Sequence, residues 1–378
     1  MKYWRGYLVA AIFAACAWGL IEFAQSHWVL VDMVYPYVTR LIQNFLAEWS
    51  AGVPFCLWQA ILLVMGAAGL ASVVMMVVWK WNPIQWFGWI LAAASIVFFL
   101  NTAIYGLNDH AGTIADDLRM EVSDYTISEL EEAGKFYLEQ ANDLASQVNR
   151  DANGNVLAPA FQDMVILAAK GFENQTYENF NPVFAGSTLP VKELGWTNIM
   201  SRRGITGITV GITGEACVNP QTPAISFPFV ICRQMAQRMC ITESSDATFA
   251  AFMACDANPM AEFRYSGYFM AYYYCYETLQ MMQTPAAQAS AAKLAGMESA
   301  RLAQDLEAYR ASFAAEDGLD LLERKQTKDG QSSRACVPDL LVSWYITKYI
   351  LPLQVEEEVI FDPMDRNQVD LTGIANAA

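Results

Sequence analysis

The sequence predicts a mainly α-helical membrane protein: three transmembrane helices followed by a helical extracytoplasmic domain with a small β element. Three observations predict it. The 378-residue chain is 54% hydrophobic and only 16% charged, against about 25% charged in an ordinary soluble domain. Its charge is unevenly divided: residues 1–104 hold four bases (Lys2, Arg5, Arg40, Lys80) and three acids (Glu22, Asp32, Glu48), whereas residues 105–378 hold 19 bases and 36 acids. The near-neutral first part also contains three long apolar runs. So much apolar surface excludes intrinsic disorder. A formal net charge of -16 excludes nucleic acid as a partner, because phosphate binding needs a basic face.

The apolar runs cover residues 6–23, 55–79 and 84–104, within a membrane domain of residues 1–104. No small-residue cleavage site follows the first, so it reads as an uncleaved span rather than a signal peptide. The second is long enough to cross ~30 Å of hydrocarbon with some tilt. A tight turn, Lys80-Trp-Asn-Pro83, leads to the third. Lys2 and Arg5 precede span one, and Lys80 separates spans two and three. The positive-inside rule puts both places in the cytoplasm. The loop of about 30 residues after span one and everything beyond residue 104 then lie outside. Trp4, Trp28, Trp49, Trp79, Trp81 and Trp86 cluster at span ends as an aromatic belt. Gly66, Ala67, Ala68, Gly69, Ala71 and Ser72 give span two a small-residue face, which predicts packing against spans one and three. Glu22 falls at the interface.

The outer domain, residues 105–352, reads as helices with one interruption. Thr126 and Glu129 form a capping box. Leu130, Ala133, Tyr137, Ala141, Leu144 and Val148 then make a helical stripe, ended by a turn at Asp151–Gly154. Residues 158–172 form another helix and 174–190 a loop. Residues 191–219 are rich in Ile, Thr, Val and Gly and predict one or two strands or a hairpin. Pro228 sits in the first turn of the next helix. Ser244 is the expected cap of a helix that stops at Asn258-Pro259. An aromatic helix over 262–282, a single long Ala-rich helix over 285–315 and a last one over 337–350 complete the domain. The acidic tail, 353–378, is expected to be loose.

Catalytic signals are sparse. The chain contains no G-x-S-x-G, P-loop or G-x-G-x-x-G sequence. Its only histidines are His27 and His110, and neither stands near a nucleophile motif. The eight cysteines contain no CxxC, and most are expected as buried thiols; Cys16 and Cys56 fall in the apolar segments.

The stretches Thr213-Gly-Glu-Ala-Cys-Val-Asn219, Pro228-Phe-Val-Ile-Cys-Arg-Gln-Met-Ala-Gln237 and Phe263-Arg-Tyr-Ser-Gly-Tyr268 carry a resemblance. With three spans ahead of them, they resemble an uncharacterised bacterial family of zincin-like membrane metallopeptidases. The likeness runs through most of the chain to about residue 350. It implies a β edge above an active-site helix, and a His-Glu-x-x-His motif that places two imidazoles at i,i+4 on one zinc with a Glu as base. Here the His positions are Arg233 and Gln237, the Glu position is Gln234, and a downstream acid falls at Asp246. A guanidinium stays protonated and binds no zinc. Cys232 and Cys240 are eight residues apart on one helix, too far to share an ion; Cys232 with Asp246 and Cys217 or Cys255 is the remaining combination. Ser333-Arg334 replaces a Ser-Tyr pair of the family.

The resemblance thus implies a catalytically inactive pseudo-metallopeptidase of the cell membrane with no metal and no cofactor. Its partners would be membrane lipid and a peptide or protein outside the cell. Candidate binding residues are Glu215 and Asn219, which either hold a peptide backbone or fix a turn, and Arg264 and Tyr268. Tyr272, Tyr273, Tyr274 and Tyr276 either line a groove or form helix core. The alternatives are a hydrolase with non-histidine metal or carboxylate chemistry, and a structural subunit of a membrane complex. With zinc gone, Arg233 is expected to pair with an acid, Asp246 first, because an unpaired buried cation is costly.

Overall fold

The computed structural model describes residues 4–157, 159–313 and 336–352. Its first four helices are α1 (Arg5–Ser26), α2 (Trp28–Ala51), α3 (Leu57–Val78) and α4 (Pro83–Ile104). Of these, α1, α3 and α4 are long and apolar enough to cross a membrane. Gly6 of α1 faces Gly88 of α4 so closely that a Cβ on Gly6 would sit 2.5 Å from the Gly88 carbonyl carbon. Further along both helices, Phe13 meets Phe99 edge-on at 5.4 Å. The contacts follow the same order on each, so α1 and α4 run parallel. The intervening α3 returns in the opposite sense, and Asn82 caps the start of α4 by accepting from the Ile84 and Gln85 amides.

Two expectations fail in this region. A Cβ built on Gly66 or Gly69 meets nothing within 4 Å, so these glycines of the small-residue face do not pack on α1 or α4; the face touches α4 at Ser72, whose hydroxyl accepts from the Trp86 indole (3.1 Å). Helices α1 and α4 satisfy each other through their own glycines, while α3 is held at its first turn by the domain that follows α4. The segment after span one is not a loop but α2. Its Val31, Thr39, Gln43, Ala47 and Ser50 are buried, a helical spacing whose polar members bond across the interface. Gln43 donates to the Gly211 carbonyl (2.8 Å), Thr39 to Asn108 Oδ1 (3.1 Å), and Asp32 accepts the Gly112 amide (2.7 Å).

The rest of the chain forms α5 (Ile114–Asp117), α6 (Ile127–Leu144), α7 (Phe161–Tyr177), β1 (Lys192–Glu193), α8 (Thr197–Ser201), β2 (Gly207–Val210) and β3 (Glu215–Val218). It continues with α9 (Phe227–Arg238), α10 (Ser244–Asp256), α11 (Ala261–Met281), α12 (Pro285–Ala295), α13 (Ala300–Phe313) and α14 (Val337–Tyr345). The capping box at Thr126 and Glu129 forms as expected, and its stripe is buried from Leu130 to Val148. The strand-rich stretch folds as a sheet of order β1-β3-β2, with β2 antiparallel and β1 parallel to β3.

The expected Ala-rich helix is two helices. Asn142 of α6 bonds to the Met297 carbonyl and the Ser299 amide, so the break is held by a side chain from another element. Glu243, not Ser244, occupies the cap position of α10, and the Ser244 hydroxyl accepts from Arg233. The tyrosine run is core: Tyr265, Tyr268, Tyr272, Tyr274 and Tyr276 are buried, and the Tyr272 hydroxyl reaches Glu298 (2.6 Å). Ser333-Arg334 and the acidic tail lie outside the described residues.

The β2–β3 hairpin seats on α2 through Gly214. Its φ of +64° is a left-handed conformation, and a Cβ there would lie 2.6 Å from the Leu46 Cβ. Gly214→Ala is therefore expected to destabilise the protein by about 1–3 kcal/mol, read as a lowered thermal midpoint in detergent. An unchanged midpoint would show that this contact does not fasten the hairpin.

Candidate functional site

The candidate site is built on α9, the helix carrying Arg233, Gln234 and Gln237. Pro228 lies in its first turn and nearly every side chain from Phe227 to Arg238 is buried. Its sheet-facing side meets β2. The Thr209 hydroxyl contacts both the Gln234 carboxamide oxygen (2.9 Å) and the Gln234 carbonyl (3.1 Å), and a Cβ on Gly207 would touch the Gln234 side chain at 2.7 Å. Gln234 is thus a buried amide bonded to the strand above it. One turn on, the Gln237 carbonyl accepts the Tyr105 hydroxyl (2.8 Å).

Arg233 does not pair with Asp246. Its guanidinium donates to the Thr248 hydroxyl (3.1 Å) and the Ser244 hydroxyl (2.9 Å), which lie one turn apart on α10. Asp246 is two residues from each, on a different face, and accepts the Ile114 amide (3.1 Å). Among the described residues Arg233 has no carboxylate partner, and burial pushes its pKa down from the usual arginine value, offset in part by Tyr274 and Tyr309. A second cation on α9, Arg238, is 2% exposed and donates to the carbonyls of Ser187 and Leu189. Burial pushes it down to about 10. The sequence reading missed it, although an arginine five residues after another on an otherwise apolar helix is a visible signal.

Asp246 instead faces a cavity of about 210 Å³ between α2, the 108–117 segment and the α9–α10 connection. Asp32, Arg40, Asp117, Cys240 and Glu243 line it with Asp246. Arg233, Gln234 and Gln237 do not. The Asp117 carboxyl is pushed up by burial and by the Asp32 charge, against the pull of Arg40. None of these cavity acids except Asp246 was singled out in the sequence, because α2 brings them together from far along the chain.

The candidate binding residues separate in space. Glu215, 1% exposed, accepts the amides of Leu57 (2.8 Å) and Trp58 (2.9 Å) in the first turn of α3, and pairs with Lys192 at 2.7 Å. Lys192 also donates to the carbonyls of Ser50 (2.7 Å) and Phe55 (3.2 Å). Asn219 fixes a turn: it donates to Ser201 and to the Ile205 carbonyl and accepts the Gln221 amide. Tyr268 donates to Asp256 (2.5 Å), and its pKa is raised by burial first and by that carboxylate next. The Arg264 Nε is buried without a hydrogen-bond partner among the described residues. Cys217 abuts Cys56 and Cys255 lies beside Cys232, so neither joins Asp246. Among the described residues no group of three or more His, Cys, Asp or Glu side chains is placed to hold a metal ion.

Two outcomes are expected. Arg233→Met should leave stability unchanged or raise it, since a desolvated guanidinium is exchanged for an apolar side chain of similar length. A fall of several degrees in thermal midpoint would show that the hydroxyl contacts outweigh desolvation. Glu215→Ala should cost about 3–5 kcal/mol, because it strands the partly buried Lys192 and two helix amides. Denaturant titration of the detergent-solubilised protein measures that loss.

Comparison with known proteins follows this geometry. No curated protein and no solved structure matches the chain. One family does, described as "Protein of unknown function (DUF3810)", over residues 32–327. That match begins within α2, takes in the α3–α4 pair, the sheet and α9 to α13, and covers well over half of the chain. The protein belongs to the DUF3810 family.

Proposed function

We propose that this protein is a multi-pass membrane pseudo-metallopeptidase. It keeps a zincin-like arrangement of strand edge over helix, without the means to bind zinc, and uses the domain beyond α4 to engage a peptide or protein segment outside the cell. One observation carries the reading: α9 offers Arg233, Gln234 and Gln237 at the motif positions, and the Gln234 carboxamide is bonded to Thr209 of the strand above it. An amide is no general base, and a guanidinium no ligand. The parallel course of α1 and α4, with the bases Arg5 and Lys80 near their starts, supports a cytoplasmic start for both helices.

A second reading, a hydrolase using carboxylates, has one observation in its favour. Asp117 and Asp32 line the same cavity, and the Asp32 charge helps raise the Asp117 pKa. A carboxyl raised by burial and a neighbouring acid is a candidate general acid.

Purified full-length protein incubated with a fluorogenic peptide library separates the readings. The pseudoenzyme reading expects no cleavage and substoichiometric zinc by elemental analysis. Chelator-sensitive cleavage with stoichiometric zinc overturns it. Chelator-resistant cleavage that Asp117→Asn abolishes establishes the carboxylate enzyme instead.

A further inference from the structure

β3 presents Glu215 and Cys217 two residues apart, and alternation puts both on one face of the strand. Both meet the start of α3. Glu215 accepts the amides of Leu57 and Trp58, while the Cys217 Sγ lies 2.8 Å from the Sγ of Cys56, the residue just before that helix. The two sulfurs need a shift of less than about 1 Å to reach the ~2.05 Å of a disulfide bond. Their positions are fixed from both sides. Gln59 bonds the Gly195 amide (2.9 Å) and carbonyl (3.1 Å), and Leu194, Trp58, Met200 and Ile205 close an apolar shell around the pair. Cys56 is 2% exposed and Cys217 0%. Buried thiols are common as inert core residues, but two of them aligned by neighbouring main-chain bonds, 161 residues apart in sequence, are the arrangement a structural cross-link requires.

We infer that Cys56 and Cys217 are joined by a disulfide that fastens the first turn of α3 to the central strand of the sheet. The inference rests on the reading above that this face lies outside the cytoplasm, where thiols are oxidised. The oxidant is a disulfide-bearing protein dithiol catalyst acting before the shell closes. One thiolate attacks its disulfide, forming a mixed disulfide and releasing one catalyst thiol. The second thiolate then displaces the remaining catalyst sulfur. Two thiols and one disulfide become one disulfide and two thiols, with no net change in protons or electrons. The bond closes a long loop, the case in which a cross-link most restricts the unfolded chain.

The test uses the full-length chain in membranes, acid-quenched, denatured and alkylated with a polymer-tagged maleimide before and after reduction. Wild type is expected to gain two tags only on reduction. Cys56→Ser and Cys217→Ser should each expose the partner thiol without reductant, and the double variant should show no reductant-dependent change. Reductant should also lower the thermal midpoint of the wild type and leave the double variant unaffected. Full tagging of wild type without reductant overturns the pairing. The side of the membrane is read separately from the exposed Ala152, as Ala152→Cys in a Cys16→Ser background, with an impermeant maleimide on intact cells. Labelling there together with free Cys56 and Cys217 sinks the disulfide alone. No labelling together with free thiols sinks the outer placement and the disulfide with it.

Discussion

A buried carboxylate ties the start of α3 to the sheet. Glu215 opens the middle strand of the three-stranded sheet, and its oxygens are spent on the first two amides of an apolar helix and on Lys192. The arrangement suits both helix ends at the α2–α3 corner. The negative group sits at the amino end of α3, and the positive one donates to the Ser50 carbonyl at the carboxyl end of α2, each matching the sign of the helix dipole there. Removing both charges from water is expensive, and only the surrounding hydrogen bonds make the burial tolerable. With the Gln43–Gly211 bond and the Gly214–Leu46 contact, these bonds fix the sheet against α2 and α3.

The buried helix α9 obeys a different logic. Its two cations are buried against hydroxyls and carbonyls rather than acids. Neutral oxygens supply less stabilisation than a carboxylate, which is why burial dominates the shifts of both guanidiniums. The acid expected beside Arg233 faces a separate cavity. Proximity in sequence was a poor guide because two residues along a helix is about 200° of rotation.

Much of the fold was legible from periodicity. The three apolar runs, the capped α6 stripe, the hairpin and the aromatic core helix all follow from local pattern, which needs no knowledge of distant contacts. The exceptions were settled by tertiary partners. Asn142 divides an Ala-rich segment that reads as one helix. The stretch from Trp28 to Ala51 looks like a loop until the hairpin and the Gly211 carbonyl are set against it. Of the candidate site, Gln234 under its strand edge was foreseeable. Glu215 stood out only as a binding or turn residue, and nothing local says that the amides donating to it come from a helix some 158 positions earlier. Lys192 left no trace at all in the sequence, being one more base beside one more acid.

The glycine flank of α3 has a mechanical meaning. Nothing lies within 4 Å of a Cβ on Gly66 or Gly69, and the same face touches α4 where the Ser72 hydroxyl accepts from the Trp86 indole. Because the first turn of α3 is fastened to Glu215, any tilt of this helix is felt first at the middle strand of the sheet.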